Sequence, residues 1–321
     1  MKKKIAFIVN PISGTGHKEA ILAYLKETFS DTEKYSTCFY TTKCAGDAYV
    51  AAMRFHKEAY DIVVAIGGDG TVNQVAKGLI NSNTKLAIIP VGSGNGLARH
   101  LKIPLSYHRA IEVIFDEKAQ LIDAGKINDE VFFCTAGLGF EAVIGDRFNS
   151  AGSRGLITYV EFCAKEYVRY RPEYYTIDIL GNSYKKKAFL ITFANCAQWG
   201  NNAYIAPDAN ISDGMIDMVV WKNAPLVSMP LLTAGLFLKT LQFSEFLDTY
   251  RCKEVRITRE NEGLIQFDGE SRRMGKEINI SVMHHAVKVI VPARDYPVHQ
   301  VKDIVPQFKE LMPKLKDIFL E

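Results

Sequence analysis

Asp61-Ile62-Val63-Val64-Ala65-Ile66-Gly67-Gly68-Asp69-Gly70-Thr71-Val72-Asn73 is the stretch that decides the fold of this chain. Residues 61–66 form a short apolar run, the pattern of a buried parallel strand. Val72 to Ile80 reads as a helix. A strand, a glycine turn and a helix N-terminus together make a place for phosphate. Glycines let the backbone approach an anion closely, and the first helical N–H groups point at it. A carboxylate in such a turn would repel phosphate, so Asp69 points instead to a metal ion, a proton transfer or a polar contact with substrate. For one such loop taken alone, a tight strand–helix connection without chemistry is the competing reading.

The pattern recurs. Lys85-Leu86-Ala87-Ile88-Ile89-Pro90 runs into Val91-Gly92-Ser93-Gly94-Asn95-Gly96 and then Leu97-Ala98-Arg99-His100-Leu101. Near the start, Lys4-Ile5-Ala6-Phe7-Ile8-Val9 runs into Asn10-Pro11-Ile12-Ser13-Gly14-Thr15-Gly16 and a helical pattern from Ala20 to Phe29. In an open α/β sheet such loops gather at the carboxyl ends of the strands, where ligands bind. Three together favour a nucleotide or phosphate site.

Bulk properties narrow the class. The 321 residues are long for one core, and two domains are expected. A hydrophobic fraction of 48% and a charged fraction of 23% suit an ordinary globular protein. A net charge of +3 argues against a nucleic-acid partner. The six cysteines form no Cys-x-x-Cys pair, so neither a zinc knuckle nor a redox motif is signalled, and reduced thiols in the cytoplasm are expected. Met1-Lys2-Lys3-Lys4 leads into a first strand rather than a signal peptide, and no apolar run reaches membrane-spanning length.

Strands are expected near 4–9, 35–41, 61–66 and 85–89, and helices near 17–29, 46–58, 71–80, 94–101 and 107–116. Such alternation predicts a parallel, Rossmann-like α/β domain. After about residue 120 the texture changes to short Val-, Ile-, Phe- and Tyr-rich runs, at 130–135, 174–180, 187–195, 215–221, 253–258, 263–267, 277–283 and 286–291. These predict a mainly antiparallel β-sandwich, interrupted by helices near 154–170 and 226–242. The expected division is 1–124 for the nucleotide-binding domain and 125–294 for the β-rich substrate domain. An amphipathic helix within 295–321 is expected to pack back on the first domain.

Two turns of the second domain carry candidate chemistry. Leu264-Ile265-Gln266-Phe267 leads into Asp268-Gly269-Glu270, two carboxylates one glycine apart. A solvated hairpin turn is the plainer reading, because Asp-Gly is a common turn pair. Asn210-Ile211-Ser212-Asp213-Gly214-Met215 offers a carboxylate and nearby carbonyls for an oxygen-ligand ion site, or again a plain turn. Thr135-Ala136-Gly137-Leu138-Gly139-Phe140-Glu141 offers close backbone packing and is expected to line a cleft.

In order, these pieces resemble the diacylglycerol kinase catalytic family, lipid kinases that include sphingosine and ceramide kinases. Gly-Gly-Asp-Gly-Thr-x-Asn-Glu stands as Gly67 to Gln74, with Gln74 in place of Glu. Pro-x-Gly-(Ser/Thr)-x-Asn stands as Pro90 to Asn95, and Asn-Pro-x-x-Gly as Asn10 to Gly14. Thr42 precedes Gly46-Asp47-Ala48, and Ile122-Asp123-Ala124-Gly125 through Phe140 resembles the domain join.

The resemblance implies a two-domain kinase of the NAD-kinase and diacylglycerol-kinase type, acting from an interdomain cleft with ATP and Mg²⁺. By it, Asn10, Pro11, Ile12, Ser13, Gly14, Thr42, Gly67, Gly68, Asp69, Gly70, Thr71, Val72, Asn73 and Ser93 hold ATP. Asn210, Asp213 and Met215 match a structural Mg²⁺ site, Asn210 and Met215 through their carbonyls. Glu270 matches the proton acceptor, with Asp69 and Asp268 as its catalytic partners. The expected partners are a lipid alcohol substrate and a membrane surface touched from the cytoplasmic side, with a homodimer open and no nucleic acid.

One departure bears on substrate. Asn95-Gly96 stands where many diacylglycerol kinases have Asn-Asp, which is nearer the sphingosine kinase pattern. Diacylglycerol is the leading acceptor and a sphingoid base the alternative. An NAD-kinase-like enzyme and a non-catalytic nucleotide-binding regulator are the rivals. Pro225 to Phe246 reads first as a buried core helix, with a lipid-facing role as the sharper reading. Lys185-Lys186-Lys187 and Arg169-Tyr170-Arg171 are candidate headgroup contacts.

Overall fold

The computed structural model describes residues 2–13, 18–150, 162–163, 165–167 and 169–296. The described residues divide into a first unit, up to Ala124 and again from His284, and a second unit, Gly125–Met283.

In the first unit, β1 (Lys3–Val9), β2 (Tyr35–Thr41), β3 (Ile62–Gly67) and β4 (Lys85–Pro90) form a parallel sheet in the order β2-β1-β3-β4. β3 is buried at every residue and β4 at all but its first, as continuous apolar strands covered on both faces must be. The helices are α1 (Lys18–Thr28), α2 (Asp47–Lys57), α3 (Asp69–Gly78), α4 (Gly96–His100) and α5 (Tyr107–Asp116). The chain steps one way from β1 to β2 and the other way from β3 to β4. Right-handed crossovers therefore put α1 on one face and α2 and α3 on the other. Phe29 stacks on Phe115 of α5 and meets Phe7 of β1 at a tilt, while α2 and α3 approach so closely that a Cβ on Gly78 would lie 2.7 Å from the Ala52 methyl. The reversal of strand order makes β1/β3 the switch point, the position where open α/β sheets bind ligands.

In the second unit, β5 (Ala119–Ile127, its end only), β6 (Glu130–Phe132), β7 (Thr135–Gly139), β8 (Glu173–Ile179), β9 (Asn182–Ala188), β10 (Leu190–Ala194), β11 (Ile216–Trp221), β12 (Leu247–Cys252), β13 (Glu254–Arg259), β14 (Gly263–Phe267), β15 (Glu270–Met274) and β16 (Glu277–Ile290, its start) are described. One antiparallel sheet runs β12-β11-β10-β7-β14-β15, and β16-β13-β8-β9 pair antiparallel as a second. Alternate residues of both, among them Leu138, Phe193, Met218 and Phe267 against Tyr175, Ile177, Ile257 and Ile280, fill one core. This is the antiparallel β-sandwich. The other face of the six-stranded sheet is covered by α6 (Phe140–Ser150), α7 (Met229–Leu238) and the chain between β10 and β11, around Ile144, Phe189, Trp221 and Leu232.

The structure corrects several local expectations. Thr135–Gly139 is a central strand, although its two glycines weaken a strand signal in sequence. A Cβ on Gly137 would strike the Glu141 carboxylate, and Gly139 holds a φ of +78° with the Phe189 carbonyl 2.7 Å from where its Cβ would stand. The run 187–195 is two strands meeting at Phe189. The helix expected at 226–242 spans only Met229–Leu238, flanked by single 3-10 turns at Leu226–Ser228 and Leu241–Phe243, with Lys239 at φ +59° ending it. The helix expected at 154–170 lies largely outside the described residues, and the one within 295–321 almost wholly so.

Candidate active site

The first set of site residues lies at the carboxyl ends of β1, β3 and β4. Asn10 closes the loop after β1: its Oδ1 accepts the Ile12 N–H at 3.0 Å, and its carbonyl accepts the Ser13 hydroxyl at 3.0 Å. Its Nδ2 donates to Thr71 Oγ1 at 2.9 Å, joining this loop to α3 across the switch point. Thr71 is buried because Gly67 has no side chain: a Cβ there would lie 2.4 Å from the Thr71 Cβ. Val72 and Asn73 are buried too, so they support the loop rather than line open space. Thr42 is buried, and its N–H donates to the Val9 carbonyl at 2.9 Å. Gly14 lies outside the described residues.

The loops after β3 and β4 interlock. A Cβ on Gly92 would lie 2.5 Å from the Gly68 Cα, so the two backbones touch glycine to glycine. Asp69 Oδ2 accepts the Asn95 N–H at 2.8 Å and its Oδ1 accepts the Gly96 N–H at 2.6 Å. Asn95, at φ +52°, folds back on Gly92 with its own amide, accepting the Gly92 N–H at 3.0 Å. Burial pushes the Asp69 carboxyl above the usual carboxylate range, and the Gly96 and Asn95 amides pull it back. Both Asp69 oxygens thus accept protein amides, and each keeps a second lone pair for a further contact. Ser93 stands exposed at the tip, and Gly70 faces open space at the positive end of α3. That room, beside a helix N-terminus, fits a phosphate group. His100, at the end of α4, is pushed down to about 4 by burial and is neutral at pH 7.

The second set lies on the β14–β15 hairpin. Asp268 and Gly269 have φ of +46° and +86° between the paired residues Phe267 and Glu270, the geometry of a two-residue type I′ loop. The plain hairpin reading of Asp-Gly is correct as far as it goes. The turn is also anchored. Asp268 Oδ2 accepts the Phe133 N–H at 2.7 Å, while Oδ1 accepts those of Cys134 at 2.8 Å and Thr135 at 3.1 Å. The opposite edge of that segment is held by the Asn195 and Cys196 N–H groups, both donating to the Cys134 carbonyl. Glu270 is exposed and makes no side-chain hydrogen bond or ion pair among the described residues. Of the two carboxylates, one builds the turn and the other is presented by it.

Sequence reading missed the support behind the turn. Glu141 at the start of α6 is buried on the bare Cα of Gly137, bonded to the Thr192 hydroxyl and the Gln266 amide. Gln266 Oε1 in turn accepts the Gly269 N–H at 3.1 Å. Burial raises the Glu141 carboxyl to about 7 against the pull of these hydrogen bonds. A lone Glu after a glycine-rich stretch gave no signal of this. The strand alternation that puts Gly137, Thr192 and Gln266 on one face became visible only with the register.

In the turn after residue 209, Asp213 Oδ1 accepts the Met215 N–H at 3.0 Å and Asn210 Oδ1 that of Ser212 at 3.1 Å. Asp213 Oδ2 is paired with Arg251. A carboxylate with the carbonyls of Asn210 and Met215 is an oxygen donor set of the kind a hard cation takes.

Residues 4–127 match the family model of the diacylglycerol kinase catalytic domain, and residues 134–291 that of the YegS C-terminal NAD kinase beta sandwich-like domain. The chain belongs to the diacylglycerol kinase catalytic family. It is a lipid or small-molecule kinase of this type, with the family's phosphotransferase architecture. Among relatives of this kinase, the diacylglycerol kinase of Bacillus subtilis (strain 168) is 28% identical over 300 residues, spanning 90% of this chain and 97% of the relative. A diacylglycerol kinase crystal structure from Bacillus anthracis str. Sterne matches the fold with a TM-score of 0.72 at 23% identity, over 92% of this chain and 98% of that one. Yeast NADH kinase complexed with NADH shares the fold at a TM-score of 0.51 and 11% identity, over 96% of this chain and 88% of that one.

Proposed function

We propose that the protein is an ATP- and Mg²⁺-dependent lipid kinase that phosphorylates the hydroxyl of diacylglycerol to give phosphatidic acid. The observation that carries this reading is the division of labour on the hairpin. Asp268 spends both oxygens on backbone amides, while Glu270 stands exposed beside it with none taken. A lipid alcohol is a weak nucleophile at pH 7, and Glu270 takes the role of proton acceptor as it attacks. Asp268 and Gln266 are positioning residues that fix the turn.

Phosphoryl transfer is otherwise catalysed by positioning and charge neutralisation, and Mg²⁺ bound with ATP supplies the positive charge. The loop Asn10 to Ser13, Thr42, the turn Gly67 to Thr71 and Ser93 would hold the nucleotide, with phosphate taken at the open side of Gly70. Asp69 acts by locking the loops after β3 and β4 together. Asn210, Asp213 and Met215 would hold a structural cation once Arg251 yields the carboxylate.

The acceptor assignment rests on the curated relatives, which bear the name diacylglycerol kinase. Gly96 in place of the family's aspartate favours a sphingoid base as the second reading. Among the described residues no helix is long and apolar enough to cross a membrane. Contact with the bilayer instead suits the outer side of α7 and its flanking turns. Leu232 and Phe237 anchor this segment while Val227, Leu231, Leu238 and Phe243 are 85%, 77%, 61% and 81% exposed. The lysine run is less suited: Lys185 and Lys187 lie over the Tyr174 ring, and Lys186 pairs with Asp248. Incubation with ATP, Mg²⁺ and mixed micelles of diacylglycerol, monoacylglycerol, sphingoid base or ceramide, with NAD as a further acceptor, tests the reading. Phosphorylated diacylglycerol as the dominant product supports it. A dominant sphingoid phosphate moves it to the second reading. NAD phosphorylation alone, or no product at all, refutes it.

A further inference from the structure

Asp123 on β5 is fully buried, and its Oδ1 meets His284 Nδ1 at 2.8 Å and the His285 N–H at 2.7 Å. All three residues belong to the first unit. A carboxylate only accepts, so the proton of this contact sits on His284 Nδ1. On β16 burial alternates through Ile280, and then the alternation breaks: His284 and His285 are both exposed and Ala286 and Val287 both buried. The cause is His285, whose φ of +54° is left-handed in the middle of a strand. The reversal brings two consecutive imidazoles to the same side, their centroids 3.6 Å apart. Satisfying a buried carboxylate accounts for the His284 ring and for the His285 N–H that its left-handed backbone delivers. It does not account for the exposed His285 ring stacked on His284 beside that carboxylate.

We propose that Asp123, His284 and His285 form a binding site for a borderline divalent metal of the Zn²⁺ or Co²⁺ class. One ligand atom from each residue already lies within 4.8 Å of the others, and the exposed imidazoles close the remaining distance by side-chain rotation. Two imidazole nitrogens and one carboxylate select such a metal over Mg²⁺, which prefers oxygens and keeps its waters. The open side leaves positions for water. The site joins β5 to β16 and uses none of the residues assigned to phosphoryl transfer.

Full-length protein in excess Mg²⁺ is titrated with Co²⁺ by visible absorption and with Zn²⁺ by calorimetry, alongside His284→Gln and His285→Asn. Asparagine tolerates the left-handed backbone, so His285→Asn removes the ligand and keeps the turn. The expected result is one equivalent bound by the wild type, with affinity about tenfold or more weaker in each variant. Thermal melting in chelator should be the same for wild type and His285→Asn. Equal affinity in His285→Asn, no binding below millimolar metal, or a cobalt spectrum with thiolate charge-transfer bands from the cysteines would overturn the proposal.

Discussion

The carboxylate of Asp69 accepts the backbone N–H of Gly96 at 2.6 Å, fastening the loop after β3 to the loop after β4. In Asp69→Asn one oxygen becomes an NH₂ group, so either Asn95 or Gly96 loses its acceptor and faces a donor. A buried amide left unpaired costs about 1–3 kcal/mol. The variant should therefore melt lower and, with the loops displaced, turn over roughly a hundredfold more slowly. Melting and turnover measured on the same preparation check this. An unshifted melting temperature would show that the fastening contributes nothing.

Glu270 and Asp268 should separate cleanly. Glu270→Gln removes a base without breaking a contact, so turnover should fall by about 10²–10⁴ while the melting temperature and the KM for ATP stay put. Asp268→Asn should lower the melting temperature first, because three amides lose charge-assisted acceptors. The opposite pattern, an unstable Glu270→Gln and a stable, inactive Asp268→Asn, would exchange their roles.

Glu141 gives a pH dependence of stability with a definite sign. Its folded value of about 7 lies above the ordinary glutamate value of 4.5. The folded state therefore binds the proton more tightly. Its stabilising contribution is complete below pH 4.5 and is lost as pH rises through about 7, a change of about 3 kcal/mol at most. Glu141→Gln should flatten that slope in denaturant melts across this window. A wild-type slope in the variant would remove Glu141 as its source.

Leu231 and Phe243 should matter on membranes and nowhere else. Each side chain, if buried in the interface, contributes about 1.5–3 kcal/mol. Leu231→Ser with Phe243→Ser should weaken sedimentation with lipid vesicles by tenfold or more, at about this energy per side chain, with ATP affinity unchanged. Unchanged vesicle binding would assign the exposed surface of α7 to something else.

Much of the first unit was legible because its strands are written as unbroken apolar runs: Ile5 to Val9, Ile62 to Ile66 and Leu86 to Pro90 are buried strands of a parallel sheet. The antiparallel unit was harder. Thr135–Gly139 hides behind glycines kept small by Glu141 and Phe189, and Leu247–Cys252 and Glu270–Met274 carry polar outward residues that mute their period. The site was legible as residue types, not as partners. Sequence shows an aspartate in a glycine turn. Only the register and the loop geometry show that Asp69 and Asp268 spend their oxygens on the backbone and Glu270 does not. The Glu141–Gln266–Gly269 chain joins residues more than a hundred positions apart, a distance at which periodicity carries no information.

The most direct test is transfer of labelled γ-phosphate from ATP to diacylglycerol in mixed micelles with Mg²⁺, by wild type and by folded Glu270→Gln. Labelled phosphatidic acid from the wild type, cut by orders of magnitude in the variant with ATP binding intact, is the predicted result. No labelled lipid from the wild type, or equal product from both proteins, would contradict it.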